Sequence, residues 1–337
     1  MLRVGLAGTG FMGMTHLQGW AQTPASFVGC VSSASDRAQA EQAVAQYGGT
    51  VYNSLSDLLA DVDVIDICTP THLHREMVLQ AAAAGKHIIC EKPLALSMAD
   101  TRAMLDACEQ AGIMLLVAHV VRFFPEYALA KQIVDRGELG RVGVVRLTRC
   151  SFKPGSKNPD SWFHDLSKSG GMMMDLMIHD FDYARWIAGD VETVFAKNIA
   201  SRFSDVPGDY ALAILRHTNG ALSHIEGGWA YPPPMFRTAL EVAGEYGLIE
   251  HPAGSSVPLG IHLHQTKKAD TDIAVPSSPL AEDPYTTQIR HFYDVLTGTD
   301  ITPRVTGEDG AAAVQIALAA IESARTGRPV SIKEMLS

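Results

Sequence analysis

Leu2-Arg-Val-Gly-Leu-Ala7 runs straight into Gly8-Thr-Gly10-Phe-Met-Gly13, and a helical stretch, Met14 to Ala21, follows at once. In a strand-glycine-helix order of this kind each glycine has its own use. The first allows the tight turn, the second lets a pyrophosphate approach the backbone, and the third lets the helix pack closely on the strand. The helix start adds unpaired N-H groups and the positive end of its dipole. Gly8, Gly10, Phe11, Met12 and Gly13 are therefore expected to cradle the diphosphate of a dinucleotide.

Working outward, short apolar runs at Phe27 to Ser32, Val62 to Cys68, His87 to Cys90 and Met114 to Ala118 alternate with helix-like segments. Ser35 is placed to cap Asp36 to Tyr47 and Ser97 to cap Met98 to Ala111, with Gly48 and Gly112 as stops. This repetition predicts a doubly wound parallel sheet, a Rossmann domain over residues 1–120. An acidic residue normally meets the adenosine ribose about 20 residues past the last glycine. Ser32 and Ser33 stand there instead, with Arg37 close by, so the cofactor expected is NAD(P) with a lean towards NADP. Asp36 reaching the ribose is the competing reading.

Beyond residue 120 the pattern changes. A helix, Glu126 to Arg136, stops at Gly137, and strands then predominate: Val142 to Cys150, Tyr210 to His217, Ala221 to Trp229 and Thr238 to Val242. His217-Thr-Asn-Gly220 is a hairpin signal. Residues 121–337 are thus expected to form an α+β domain for substrate binding and oligomerisation, built on a large, mainly antiparallel sheet. Helices are expected at Gly171 to Ile187, Thr286 to Leu296 and Gly310 to Arg325. Tyr231 to Pro234 and His251 to Pro279 read as loops or edge strands.

The chain has 337 residues, 47% of them apolar, with 37 acidic against 27 basic side chains and a formal charge of -10. That balance, without any basic block, argues against nucleic acid as a partner. The apolar run Gly112 to Ala118 is far short of the roughly 20 residues a membrane helix needs, so no membrane association is expected. The amino terminus lacks the features of a signal peptide, which makes the cytoplasm the expected location. The five cysteines, Cys30, Cys68, Cys90, Cys108 and Cys150, show no CxxC spacing and read as reduced thiols. The histidines form no HExxH pattern, so no metal is invoked.

Two strand ends carry chemistry. Asp66-Ile-Cys-Thr69-Pro70-Thr-His72-Leu-His74 and Cys90-Glu91-Lys92-Pro93 both place polar groups at the carboxyl edge of the sheet, where ligands bind in such folds. A lysine there can hydrogen-bond to a substrate oxygen or give it a proton. Further on, Asp175 and His179 are spaced i and i+4 in an otherwise apolar helix, which puts them on one face. The alternative is a structural pair on a solvated stripe with Asp182.

With these motifs in hand, the sequence resembles the family of glucose-fructose oxidoreductase, inositol dehydrogenase and the rhizopine-catabolism protein MocA over essentially its whole length. The resemblance rests on the glycine fingerprint, Thr69-Pro70 with His74, and Glu91-Lys92-Pro93. It continues through Arg122-Phe123 with Pro125 and Tyr127, Gly137-Glu-Leu-Gly140-Arg-Val142, and Gly170-Gly171 leading to Asp175 and His179. Thr71 departs from the asparagine that many members have. The resemblance implies hydride transfer between nicotinamide and the carbinol carbon of a sugar or cyclic polyol. His179 would be acid and base on the hydroxyl, Asp175 its partner or the substrate's, and Lys92 the group that polarises the same oxygen. Cofactor contacts would fall on Ser32, Ser33, Arg37, Thr69, Pro70, His74, Glu91 and Lys92 besides the glycine loop. Substrate contacts would fall on Lys92, Arg122, Trp162, Asp175 and His179, with Lys153 and Tyr285 as further candidates. A homodimer or homotetramer is implied. The competing functions are a redox-neutral, NAD-dependent glycosidase and a dinucleotide-sensing regulator without turnover. The retention of Lys92, Asp175 and His179 weighs against the regulator.

Overall fold

Val4, Leu6 and Ala7 are buried along the first strand, as an apolar run covered on both faces should be. The computed structural model describes residues 1–155, 158, 160–199, 209–251, 283–299 and 302–336. By packing, the chain divides into Met1–Phe123 with Leu280–Ala311, and Phe124–Pro279 with Ala312–Ser337.

The first unit runs β1 (Arg3–Ala7), α1 (Phe11–Trp20), β2 (Ser26–Val31), α2 (Arg37–Tyr47), β3 (Thr50–Val51), α3 (Leu55–Asp61), β4 (Val64–Ile67), α4 (His74–Ala83), β5 (His87–Cys90), α5 (Met98–Gln110) and β6 (Leu115–Val117). Its six strands are ordered β3-β2-β1-β4-β5-β6, and every pair is parallel. The direction of winding reverses between β1 and β4, which makes the carboxyl ends of these two strands the natural binding crevice. Leu17 from α1 and Ala40 and Ala43 from α2 pack with Leu6 and Cys30 in one core. Ser97 caps α5 as expected, accepting the Asp100 N-H. Ser35 does not cap α2: Ala34 to Asp36 form a 3-10 turn, and Asp36 takes the cap position without a side-chain bond.

The second unit contains α6 (Pro125–Asp135), β7 (Val142–Ser151), α7 (Leu166–Ser169), α8 (Gly171–Asp175), α9 (Ile178–Ala188), β8 (Val191–Ile199), β9 (Tyr210–His217), β10 (Leu222–Gly228), β11 (Phe236–Gly244) and β12 (Leu248–His251). After these come α10 (Pro284–Leu296), α11 (Gly307–Thr326) and β13 (Val330–Ser331). The sheet has seven strands in the order β12-β11-β7-β10-β9-β8-β13, antiparallel except for the β7–β10 pair. The hairpin at His217 to Gly220 joins β9 to β10, closed by the Gly220 N-H on the His217 carbonyl. Tyr183 of α9 donates to the Tyr127 carbonyl of α6 at 2.9 Å and meets the Tyr127 ring edge-on. Of the proposed loop His251 to Pro279, His251 closes β12 and residues 252–279 lie outside the described residues.

Two sequence expectations are corrected here. The helix read as Gly171 to Ile187 is interrupted at Leu176 and Met177. Both of their N-H groups bond to the Met172 carbonyl, so the Met177 bond spans five residues and the turn widens. Gly227 of β10 faces this point, and a Cβ there would lie 2.3 Å from Met177 Cγ. α10, expected to belong with residues 121–337, packs in the first unit. Its buried stripe Tyr285, Ile289, Phe292 and Val295 presents Ile289 to α1, so closely that a Cβ on Gly19 would come within 2.9 Å. Phe292 packs edge-on to Phe123. His291 Nε2 accepts the Arg304 N-H at 2.9 Å, and burial together with the Arg304 charge pushes this imidazole down to about 4. No helix among the described residues is long and apolar enough to cross a membrane.

Candidate active site

The glycine loop separates what the fold needs from what a ligand needs. Gly8 has φ +91°, and a Cβ on it would lie 2.8 Å from the Cys68 carbonyl oxygen. A Cβ on Gly13 would lie 2.0 Å from the Gly8 carbonyl oxygen. Gly10 differs: its φ is an ordinary -68°, and a Cβ there would meet nothing within 4 Å. Neither strain nor protein packing calls for glycine at position 10, whereas a diphosphate lying on the backbone does. The residues present therefore fit a dinucleotide. Gly13→Ala, which forces the loop apart, is expected to weaken NADH binding roughly 10- to 100-fold in a fluorescence titration. An unchanged dissociation constant would contradict this use of the loop.

Because β1, β4 and β5 are parallel neighbours, their carboxyl ends bring the glycine loop, Thr69-Pro70 and Lys92 to one edge. Lys92 is half-buried there, as are Thr69 and Pro70. Two residues expected to touch the cofactor face the protein instead. His74 is fully buried, with its ring nitrogens 2.9 Å from the carbonyl oxygens of Thr69 and Pro93, so it ties the two strand-end loops together. Burial pushes its pKa down. Glu91 is turned inward, where Oε2 accepts the Lys92 N-H at 3.0 Å and Oε1 lies 3.2 Å from His16 Nε2.

Near the adenosine end, Thr9 of the glycine loop donates to the Asp36 carbonyl, a long contact of 3.4 Å, which places the turn after β2 against the loop. Ser33 Oγ lies 2.8 Å from Ser35 Oγ and donates to Asp36 Oδ2 at 2.7 Å. Arg37 is exposed and its Nε lies 3.4 Å from Glu41, one turn along α2.

In the second unit, Gly170 and Gly171 both have positive φ, +70° and +77°, and turn the chain sharply from α7 into α8. From Gly171 to Ala184 every residue is buried except Asp175 and His179. The break between α8 and α9 removes the continuous helix on which the i, i+4 argument rested, yet these two side chains alone in the stretch keep contact with solvent. The next residue, Asp180, is fully buried and accepts Arg149 in a two-pronged pair, 2.8 Å at Nε and 3.1 Å at Nη2, which anchors α9 to β7. Trp162 is half-buried and stacks on Phe163 at 4.1 Å, and Lys153 is half-buried nearby in sequence.

Arg122 does not fit its expected substrate role. It is 1% exposed, and its guanidinium donates to the Arg304 carbonyl at 2.7 Å and pairs with Asp309 at 3.2 Å. It fastens the end of the first Rossmann segment to the start of α11. Tyr285 is buried on α10 of the first unit. A polar cluster not evident from the sequence joins the buried His16 and Asp66 to the half-buried Cys68. The available signal was a carboxylate in the otherwise apolar run Val64-Ile-Asp-Ile67, all of it buried.

A Rossmann sheet whose glycine loop fits a diphosphate, with a lysine at the same edge, is the framework of a nicotinamide-dependent oxidoreductase. Comparison with known proteins agrees. Residues 2–119 match the model of an oxidoreductase family with an NAD-binding Rossmann fold, and residues 127–250 match the GFO/IDH/MocA C-terminal domain. The uncharacterized oxidoreductase YrbE of Bacillus subtilis (strain 168) is 31% identical over 98% of this chain and 96% of its own. The myo-inositol 2-dehydrogenase of Thermotoga maritima is 28% identical over 99% of this chain and 100% of its own. The solved structure of levoglucosan dehydrogenase with NADH and levoglucosan superposes with a TM-score of 0.81 at 27% identity, covering 98% of this chain and 99% of that one. The chain belongs to the Gfo/Idh/MocA oxidoreductase family.

Proposed function

We propose that the protein transfers a hydride between a nicotinamide dinucleotide and the carbinol carbon of a sugar or cyclic polyol. The observation that carries this reading is that Asp175 and His179 alone stay half-buried, in partial contact with solvent, in a stretch otherwise buried. An ionisable pair kept wet in an apolar segment is suited to handling a proton, and the similar proteins named above act on inositol and levoglucosan. The glycine loop and the Thr69-Pro70 edge hold the cofactor, which supplies the hydride acceptor or donor when bound.

This chain's own residues manage the oxygen. In the oxidising direction the carbinol C-H leaves as hydride, the O-H proton passes to His179, and a carbonyl forms. Asp175 orients the imidazole or the substrate, and Lys92 hydrogen-bonds to the oxygen as its charge changes. Trp162 and Lys153, both half-buried in the second unit, are the further substrate contacts proposed there. Incubation with NAD and myo-inositol or levoglucosan is expected to give a product two mass units lighter; product of unchanged mass formed at the same rate would contradict the reading.

For the dinucleotide, the proposal is NAD rather than the NADP towards which the sequence leaned. Asp36 follows β2 with its carboxylate held by Ser33, the position from which an acid accepts ribose hydroxyls and repels a 2'-phosphate, while Arg37 leans on Glu41. NADH is expected to bind at least about tenfold more tightly than NADPH, with Asp36→Ala narrowing the gap. Equal affinities would restore the NADP reading.

The open face of the second sheet carries Leu212 and Leu222, 48% and 39% exposed, with Ile199 at 66%. In register, Leu222 pairs with Arg216 and Glu226 with Leu212, so apolar and charged side chains alternate there. A second copy of the chain is the proposed cover for this face. A single-chain mass by light scattering at micromolar concentration would remove the homo-oligomer.

A further inference from the structure

We propose that His16 is an imidazolium that bridges Asp66 and Glu91, and that through Glu91 it positions Lys92 for the reaction. The inference rests on the reading of Lys92 as a group that serves the reacting oxygen, and it assigns a role to a residue well inside the first unit.

His16 is fully buried on α1. Its Nδ1 lies 3.1 and 3.0 Å from the two oxygens of Asp66, and its Nε2 lies 3.2 Å from Glu91 Oε1. Asp66, also fully buried, takes the Trp20 indole N-H at 2.8 Å, and the Cys68 thiol lies 3.3 Å from His16 Nδ1. An ionised carboxylate can only accept. The Asp66 side is a hydrogen bond, whereas the Glu91 side is an ion-pair contact outside hydrogen-bond geometry; a neutral ring would leave a pair of like charges buried with no cation between them. That is costly in a medium of low polarity. A ring protonated on both nitrogens resolves it and leaves one net negative charge in the cluster.

On the Asp66 side the electrostatics agree with the geometry. Burial by itself would pull the imidazole down, but the Asp66 charge and the Asp66 hydrogen bond hold it well above the ordinary histidine value. The groups facing it are Trp20 on its own helix, Asp66 and Cys68 on and just beyond β4, and Glu91 at the end of β5.

The chain of contacts does not stop at Glu91. Oε1 meets His16 while Oε2 accepts the Lys92 N-H at 3.0 Å, so one carboxylate is stretched between the buried cation and the backbone of the lysine. His74 braces the same turn from the other side through the Pro93 carbonyl. Lys92 thus leaves the sheet from a turn held at two points, the arrangement expected where a proton-handling group has to keep its place.

Two measurements test this. In protein labelled with 15N-histidine, assigned by through-bond correlation to Cβ, both ring nitrogens of His16 should carry a proton at pH 8; a bare nitrogen would overturn the imidazolium. In steady-state kinetics with myo-inositol and NAD, His16→Asn should lower kcat about 100-fold, the order seen when a reacting group is slightly misplaced, with KM for NAD little changed. The double variant His16→Asn with Glu91→Gln should recover most of that loss, because a neutral amide needs no cation and its oxygen still accepts the Lys92 N-H. A His16→Asn enzyme within threefold of the parent, or a double variant no better than the single, would overturn the link to Lys92. If His16→Asn fails to fold, the nitrogen spectrum of the unaltered protein decides the charge state. Lys92→Met serves as the control: normal turnover in that variant would remove the reading of Lys92 and leave the His16 charge state to the spectrum.

Discussion

Replacing Lys92 with methionine should cut turnover about a thousandfold while changing NADH affinity by less than about threefold. Methionine keeps most of the apolar stem that packs at the end of β5 and removes only the amine. The Glu91 bond is to the Lys92 backbone N-H and survives the change. Loss of kcat without loss of cofactor binding is therefore the signature of an amine that acts on the substrate oxygen. His179→Ala should show the same pattern, since the imidazole reaches solvent from a segment that is otherwise buried. A Lys92→Met enzyme with near-normal kcat on its substrate would refute the assignment.

The second large effect concerns stability. Arg149→Leu leaves the fully buried Asp180 carboxylate without its two-pronged partner, a change expected to cost about 3–5 kcal/mol. The urea midpoint should fall accordingly. Removing both charges together, as Arg149→Leu with Asp180→Leu, should recover most of the loss, because a buried pair replaced by apolar side chains of similar volume is often neutral. A double variant as unstable as the single would show that the cost lies in packing around β7 rather than in the stranded charge. Asp180 adjoins His179, so the pair also holds the first turn of α9 under the half-buried imidazole.

The features legible in the sequence are those whose cause is local. The Gly8 to Gly13 spacing, the strand ends carrying Thr69-Pro70 and Lys92, the Ser97 cap and the His217 to Gly220 hairpin each depend on residues within a few positions of one another. What was missed depends on distant partners. Nothing near Arg122 in sequence shows that its guanidinium is taken by Arg304 and Asp309. Nothing near Thr286 shows that α10 returns to pack on Gly19. His16 and Asp66 are 50 residues apart and become one cluster only when α1 lies along β4. The break at Leu176 and Met177 escaped for another reason: apolar periodicity cannot tell a bond spanning four residues from one spanning five. Ser32, Ser33 and Arg37 on one side and Asp36 on the other left two cofactor readings open in the sequence, and it is the contact of the Ser33 hydroxyl with the Asp36 carboxylate, invisible in sequence, that favours the second.

The central claim is hydride transfer to or from a polyol carbon, and absorbance of the reduced nicotinamide ring near roughly 340 nm reads it directly. The enzyme should be mixed with NAD and, separately, NADP across myo-inositol, scyllo-inositol, levoglucosan and common aldoses, and with NADH across their keto or lactone forms. The account predicts a substrate-dependent change with at least one of these, larger with NAD than with NADP and abolished by Lys92→Met. Tight NADH binding with no absorbance change on any of them would contradict it.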